Sequence, residues 1–277
     1  MLKTRAIRLS ALILIASALL AATPARADLL YTYTDSSSGG PAGDGPVNAQ
    51  ATVSALYNQN VDGLTSFTGF KIVIQNNDPV SSGGEGQAIS GIKLNIGSTL
   101  NDISVALVQD QGYEVAISKN SNPSYGSTLV KATGNGTTTL LHWGTTDTNG
   151  LFNLQTVGNN GAAGGKPNHL IVGALASGTT DYNPSYAEHT PDFHKTATFY
   201  IADSKVTGST VLSLTDFSNF QFAFGTGPAL GGNASGSVIS PVVPAIPTPE
   251  PSTIALALSA IPAGLGYWLS RRRRATA

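Results

Sequence analysis

Val47-Asn48-Ala49-Gln50-Ala51-Thr52-Val53-Ser54-Ala55-Leu56-Tyr57 alternates apolar side chains with amides and hydroxyls. Successive side chains of a strand point to opposite faces, so Val47, Ala49, Ala51, Val53, Ala55 and Tyr57 share one face and Asn48, Gln50, Thr52 and Ser54 the other. The stretch is a half-buried strand. The same beat returns at Phe70, Ile72, Ile74; at Ile92, Leu94, Ile96; at Ile103, Val105, Leu107; at Tyr113, Val115, Ile117; at Ala197, Phe199, Ile201; and at Phe220, Phe222, Phe224. Turn-forming clusters separate these runs, among them Asn76-Asn77-Asp78-Pro79, Ser81-Ser82-Gly83-Gly84 and Asn120-Ser121-Asn122-Pro123. No helical apolar stripe of useful length intervenes, so the expected fold is all-β, an antiparallel β-sandwich with Ig-like or jelly-roll connectivity.

Domain limits follow from composition. The body runs from residue 28 to residue 225, with Gly158 to Gly165 read as a long inter-strand loop. Residues 226–248 turn Gly-, Ser- and then Pro-rich and read as a semi-rigid stalk. From Asp28 to Thr248 seven lysines face fifteen acids, a balance of −8, and every arginine lies outside this stretch. Nucleic acid is a poor partner for such a surface. With no cysteine, the body is held by burial alone, and thiolate zinc is excluded.

Both ends carry routing patterns. Lys3, Arg5 and Arg8 precede an apolar run from Leu9 to Leu20, and Ala25-Arg26-Ala27 stands before Asp28, which together make a secretory signal peptide over residues 1–27. The implied partners are the Sec translocon and signal peptidase. At the other end, residues 249–277 hold Pro249-Glu250-Pro251-Ser252, an apolar stretch over residues 254–269, and Arg271-Arg272-Arg273-Arg274. The apolar stretch covers about 24 Å as a helix, short of a hydrocarbon core of roughly 30 Å, so interfacial Tyr267 and Trp268 and the snorkelling arginines must help it span. A signal helix and a C-terminal transmembrane helix therefore flank the expected sandwich.

The tripartite tail resembles the PEP-CTERM sorting signal of exported bacterial proteins, with Thr248 where that pattern often has Val. The resemblance covers the tail only. It implies an exosortase-type sorting enzyme as partner, cleavage near the motif, and an inner-membrane-anchored precursor destined for the cell surface or an extracellular polysaccharide matrix.

Chemistry is sparse in the body. Gly164-Gly165-Lys166 is followed by Pro167, so the hydroxyl of a nucleotide loop is missing. Asn58, Asn60 and Asp62 place oxygen side chains at positions 1, 3 and 5 of a calcium loop ahead of Gly63, but Gly69 occupies position 12; calcium is the one cofactor left open, beside a plain polar turn. His189, Asp192 and His194 can be pictured around a metal, although Pro191 rules out helical ligand spacing. In the same polar segment Tyr182 and Tyr186, with His189 and His194, offer rings that can stack on a sugar or fold back on the sheet; folding back is preferred. His142 and His169 read as strand residues, and Asp110 with Glu114 as surface charge. No nucleophile elbow or catalytic pair stands out. The expectation is a non-enzymatic exported surface or matrix protein, with a carbohydrate-binding module and a secreted polysaccharide hydrolase as the alternatives.

Overall fold

The structure, a computed structural model, describes residues 27–37, 45–80, 85–98, 100, 106–118, 121–133, 141–148, 150–156, 168–175, 184–188, 190–226 and 229–239. All described residues belong to one compact unit, which falls within Met1–Ser240. The signal peptide up to Arg26 and the whole sorting tail, from Pro249 through Arg274, lie outside the described residues, as does the expected loop from Gly158 to Gly165. Among the described residues no helix is long and apolar enough to cross a membrane.

The fold is all-β. Its strands are β1 (Asp28–Asp35), β2 (Val47–Val61), β3 (Leu64–Asn76), β4 (Pro79–Val80), β5 (Ile89–Ile96), β6 (Ala106–Ser118), β7 (Ser121–Thr133), β8 (Gly144–Thr148), β9 (Leu151–Gln155), β10 (Ile171–Val172), β11 (Ala174–Leu175), β12 (Asp192–Ala202), β13 (Phe217–Phe224), β14 (Ala229–Asn233) and β15 (Ser235–Ile239). One antiparallel arm runs β15-β1-β2-β3-β12-β6-β7 and another runs β14-β13-β5-β9-β8. The deciding stretch, Val47 to Tyr57, is the body of β2, and its Val47, Ala49, Ala51, Val53 and Ala55 are all buried.

The arms are joined by β10, which pairs antiparallel with β5 and parallel with β12. This corrects the expectation of a purely antiparallel sheet; β4 and β11 form a second parallel pair. The reason is local. Strand β3 covers β12 only from Thr196 onward, so Asp192 to His194 present an open edge, and Ile171 and Val172 fill it. His169 N donates to Pro191 O at 2.8 Å and Phe193 N to Leu170 O at 2.8 Å, which fixes that register.

Aromatic residues from the two arms meet in one core. Tyr31 of β1 stacks on Phe220 of β13 at 4.2 Å between ring centroids, Phe70 of β3 meets Phe217 edge-on at 5.1 Å, and Trp143 lies 4.7 Å from Phe199 of β12. Such pairs add to the area they bury. Phe217 and Phe220 have opposite parity, yet both point inward. A register shift between Ser218 and Gln221, with Asn219 at φ 52°, is the bulge that turns the face over.

Two sequence expectations are corrected here. Strand β7 begins at Ser121 and contains Pro123, where a turn was expected; among the described residues it pairs only with β6, and an edge strand accepts a proline that a central one does not. The stalk expected from residue 226 is likewise not one over residues 229–239, which form β14 against β13 and β15 against β1. Glycine here serves close approach rather than flexibility. A Cβ at Gly231 would meet Tyr33 Cε1 at 2.9 Å, and one at Gly236 would meet Leu214 Cδ2 at 2.8 Å and Tyr31 Cε1 at 3.0 Å.

Candidate functional site

Strand β6 carries Asp110-Gln111-Gly112-Tyr113-Glu114, and alternation puts Asp110, Gly112 and Glu114 on one face. The glycine is needed there: a Cβ would meet Phe193 Cδ1 at 2.5 Å, so the Phe193 ring of β12 lies directly over it. That ring stands edge-on to two imidazoles, His142 at 5.6 Å and His169 at 5.0 Å. The imidazoles themselves are stacked, 3.7 Å between centroids and 19° between planes.

Each imidazole has its own carboxylate on β6. His142 Nδ1 lies 2.7 Å from Asp110 Oδ1, while Asp110 Oδ2 accepts the Trp143 backbone N–H at 3.0 Å. His169 Nε2 lies 2.9 Å from Glu114 Oε1. Carboxylate oxygens accept, so the ring protons sit on His142 Nδ1 and His169 Nε2, and a lone pair remains on the opposite nitrogen of each ring. His169 Nδ1 is buried and has no hydrogen-bond partner. Its backbone is pinned by three features: φ of 58°, the N–H to Pro191, and its carbonyl, which accepts Trp143 Nε1–H at 2.8 Å.

Burial pushes the His169 imidazole below its ordinary value of 6.5, and the neighbouring His142 pushes the same way against the pull of Glu114 and Asp110. The ring is therefore neutral near pH 7, the form that ligates metal or accepts a proton. Glu114, His142 and His169 can each offer one ligand atom, all within 4.8 Å of one another. Asp110 is fully buried, whereas the Glu114 and His142 side chains keep 29% and 20% of their surface, so the cluster opens to solvent on their side.

Taken one at a time in the sequence, each of these residues is unremarkable. His142 and His169 are not within strands; they lie two residues ahead of β8 and β10, and Asp110 is not surface charge. The signal present was the pair of acids four apart on a period-two strand with glycine between them. What joins them to His142 and His169 is long-range topology.

The other expected site residues disperse. Tyr182 and His189 lie outside the described residues. Tyr186 folds back, as preferred: it is fully buried in a small satellite core with Val115, Ile117, Leu170 and Val172, so it offers no ring to a sugar. His194 is half-buried against the Tyr125 ring at 4.8 Å, and burial pushes its imidazole down. Asp192 turns inward, where its Oδ1 accepts Leu170 N–H at 3.0 Å.

At the calcium candidate, Asp62 and Gly63 form the tight turn between β2 and β3. Asn60 Oδ1 accepts Ser66 N–H at 2.9 Å; Asp62 Oδ2 accepts the Tyr200 hydroxyl and Gln111 Nε2–H, the latter at 3.1 Å. Lys131 Nζ donates to the Asp62 carbonyl at 3.1 Å. These oxygens face protein donors, which is the arrangement of a polar turn. Elsewhere, a shallow hollow between Leu214, Asn219 and Asn233 has no charged side chain in its lining.

Comparison of the chain with protein-family models, with curated proteins and with solved structures returns no match.

Proposed function

We propose that this chain is an exported bacterial surface or matrix protein: an anionic β-sandwich delivered by a C-terminal sorting signal that an exosortase-type enzyme processes, with a structural or binding role in extracellular polysaccharide rather than a catalytic one. The observation that carries this reading is the sequence of Pro249-Glu250-Pro251, then sixteen apolar-rich positions at 254–269, then four arginines, opposed by a signal peptide that ends at Ala27. The body fits the role. It is acidic, contains no cysteine and closes its core without disulfides, as a domain that folds after export can.

Burial of Tyr186 counts against the carbohydrate-module reading at that segment, and the pairing of Asp110 and Glu114 with histidines counts against a glycosidase pair. The test is mass spectrometry of the mature C-terminus beside a Glu250→Ala variant in the native host. Trimming near Pro249 in the parent, with full-length Glu250→Ala accumulating in the membrane fraction, is the expected result; identical processing of both chains would sink the sorting reading.

A further inference from the structure

We propose that Glu114, His142 and His169 form a binding site for one divalent first-row transition-metal ion, with Asp110 as the carboxylate that orients His142. Two imidazoles and a carboxylate are a donor set that zinc accepts, leaving a fourth position open to water. Metal-bound histidines characteristically donate their second ring N–H to a carboxylate, and His142 already does so to Asp110 at 2.7 Å, with its other nitrogen free.

His169 supplies the second, independent pointer. Its Nδ1 is a buried ring nitrogen without a hydrogen-bond partner, on a side chain that retains 6% of its surface. Buried polar atoms are rarely left so, and an unpaired imidazole lone pair is what a metal ion takes up. A shift of the ring proton from Nε2 to Nδ1 gives the other neutral tautomer, whose Nε2 lone pair faces Glu114 at 2.9 Å.

Access and reorganisation are both modest. Glu114 and His142 are partly exposed, which lets a hydrated ion in from solvent. Zinc bonds of about 2.0–2.2 Å hold their donors roughly 3.3–3.5 Å apart. The donor atoms here lie within 4.8 Å, so loading draws them inward and tilts the imidazoles out of their parallel stack. The Glu114 strand and the two histidine segments belong to different parts of the sheet, and the ion would cross-brace them.

The experiment uses the full chain in mild detergent, free of any polyhistidine tag and stripped with chelator, titrated calorimetrically with Zn2+ alone. A parallel Co2+ titration reports coordination by its visible d–d bands. The expected result is one ion per chain and a raised Tm, with affinity about 10–100-fold weaker in Asp110→Asn, as for loss of an orienting partner, and weaker still in Glu114→Gln. Glu114 is part-exposed, so Glu114→Gln keeps the fold; circular dichroism checks this, and His142→Ala serves as a second ligand variant. No uptake by the parent chain, or a folded Glu114→Gln that binds Zn2+ as tightly as the parent, would overturn the proposal.

Discussion

Strand β6 has two polar faces finished to different degrees. On one, Gln109 and Gln111 reach the turn between β2 and β3: Gln111 donates to Asp62 Oδ2 and Gln109 to the Asp62 carbonyl, while Tyr200 and Lys131 add their own donors. Acceptor and donors match, and the knot ties a hairpin tip to β6, β7 and β12. On the other face, Asp110 and Glu114 accept from two stacked histidines, and the assembly still holds a buried nitrogen without a partner. Both faces are polar, and Gln109, Asp110 and Gln111 on them are buried. The completed one explains itself as structure, whereas the incomplete one has capacity left for a ligand.

The comparison breaks most sharply at Asp110. Asp110→Ala orphans the Trp143 N–H and the His142 Nδ1–H together, at about 1–3 kcal/mol for each buried donor. Urea unfolding should show the sum, and a loss below about 1 kcal/mol would mean that the inner face is as solvent-compensated as a surface. Gly112→Ala comes next. Its new methyl meets Phe193 at 2.5 Å, so overpacking should cost about 1–3 kcal/mol and shift the ring that edges both imidazoles, which histidine side-chain NMR resonances would report.

The smallest effect belongs to the finished face. Tyr200→Phe removes the main group that holds Asp62 below its ordinary 3.8, ahead of Gln111 and the Lys71 and Lys131 charges. A depressed carboxyl stabilises fully above its unfolded value and loses that contribution as pH falls through the folded one. The parent should therefore exceed Tyr200→Phe by about 1 kcal/mol near neutrality, a net hydrogen bond, with the gap closing in strong acid. A pH-independent gap in thermal unfolding would remove Asp62 from the account.

What was legible in the sequence divides along the same physical lines. Period-two alternation revealed β2, β3, β5 and β12 because each buries one apolar face and wets the other. It missed β7, whose faces are mostly wet, and β14 and β15, where Leu230-Gly231-Gly232-Asn233 has the composition of a linker. There the glycines fit beneath Tyr33, a contact invisible until β14 is laid near β1. The His–carboxylate cluster was half legible. Asp110 and Glu114 share a strand and a face, but His142 and His169 reach them from 32 and 55 residues away through the crossing of the two arms. No local pattern encodes that meeting.

Strand β15 has a further consequence for the order in which the molecule matures. It covers β1 through five register pairs, from Asp28 with Ile239 to Thr32 with Ser235, so the first strand gains its outer neighbour only from the last. A chain made from its amino end must keep that edge of β1 open while more than two hundred residues follow, the sequence separation that makes closure slow. Until residue 239 arrives, β1 is an unguarded template for a second copy. Chaperone demand, and sensitivity to any truncation ahead of Ile239, should therefore be concentrated at this one late-closing seam.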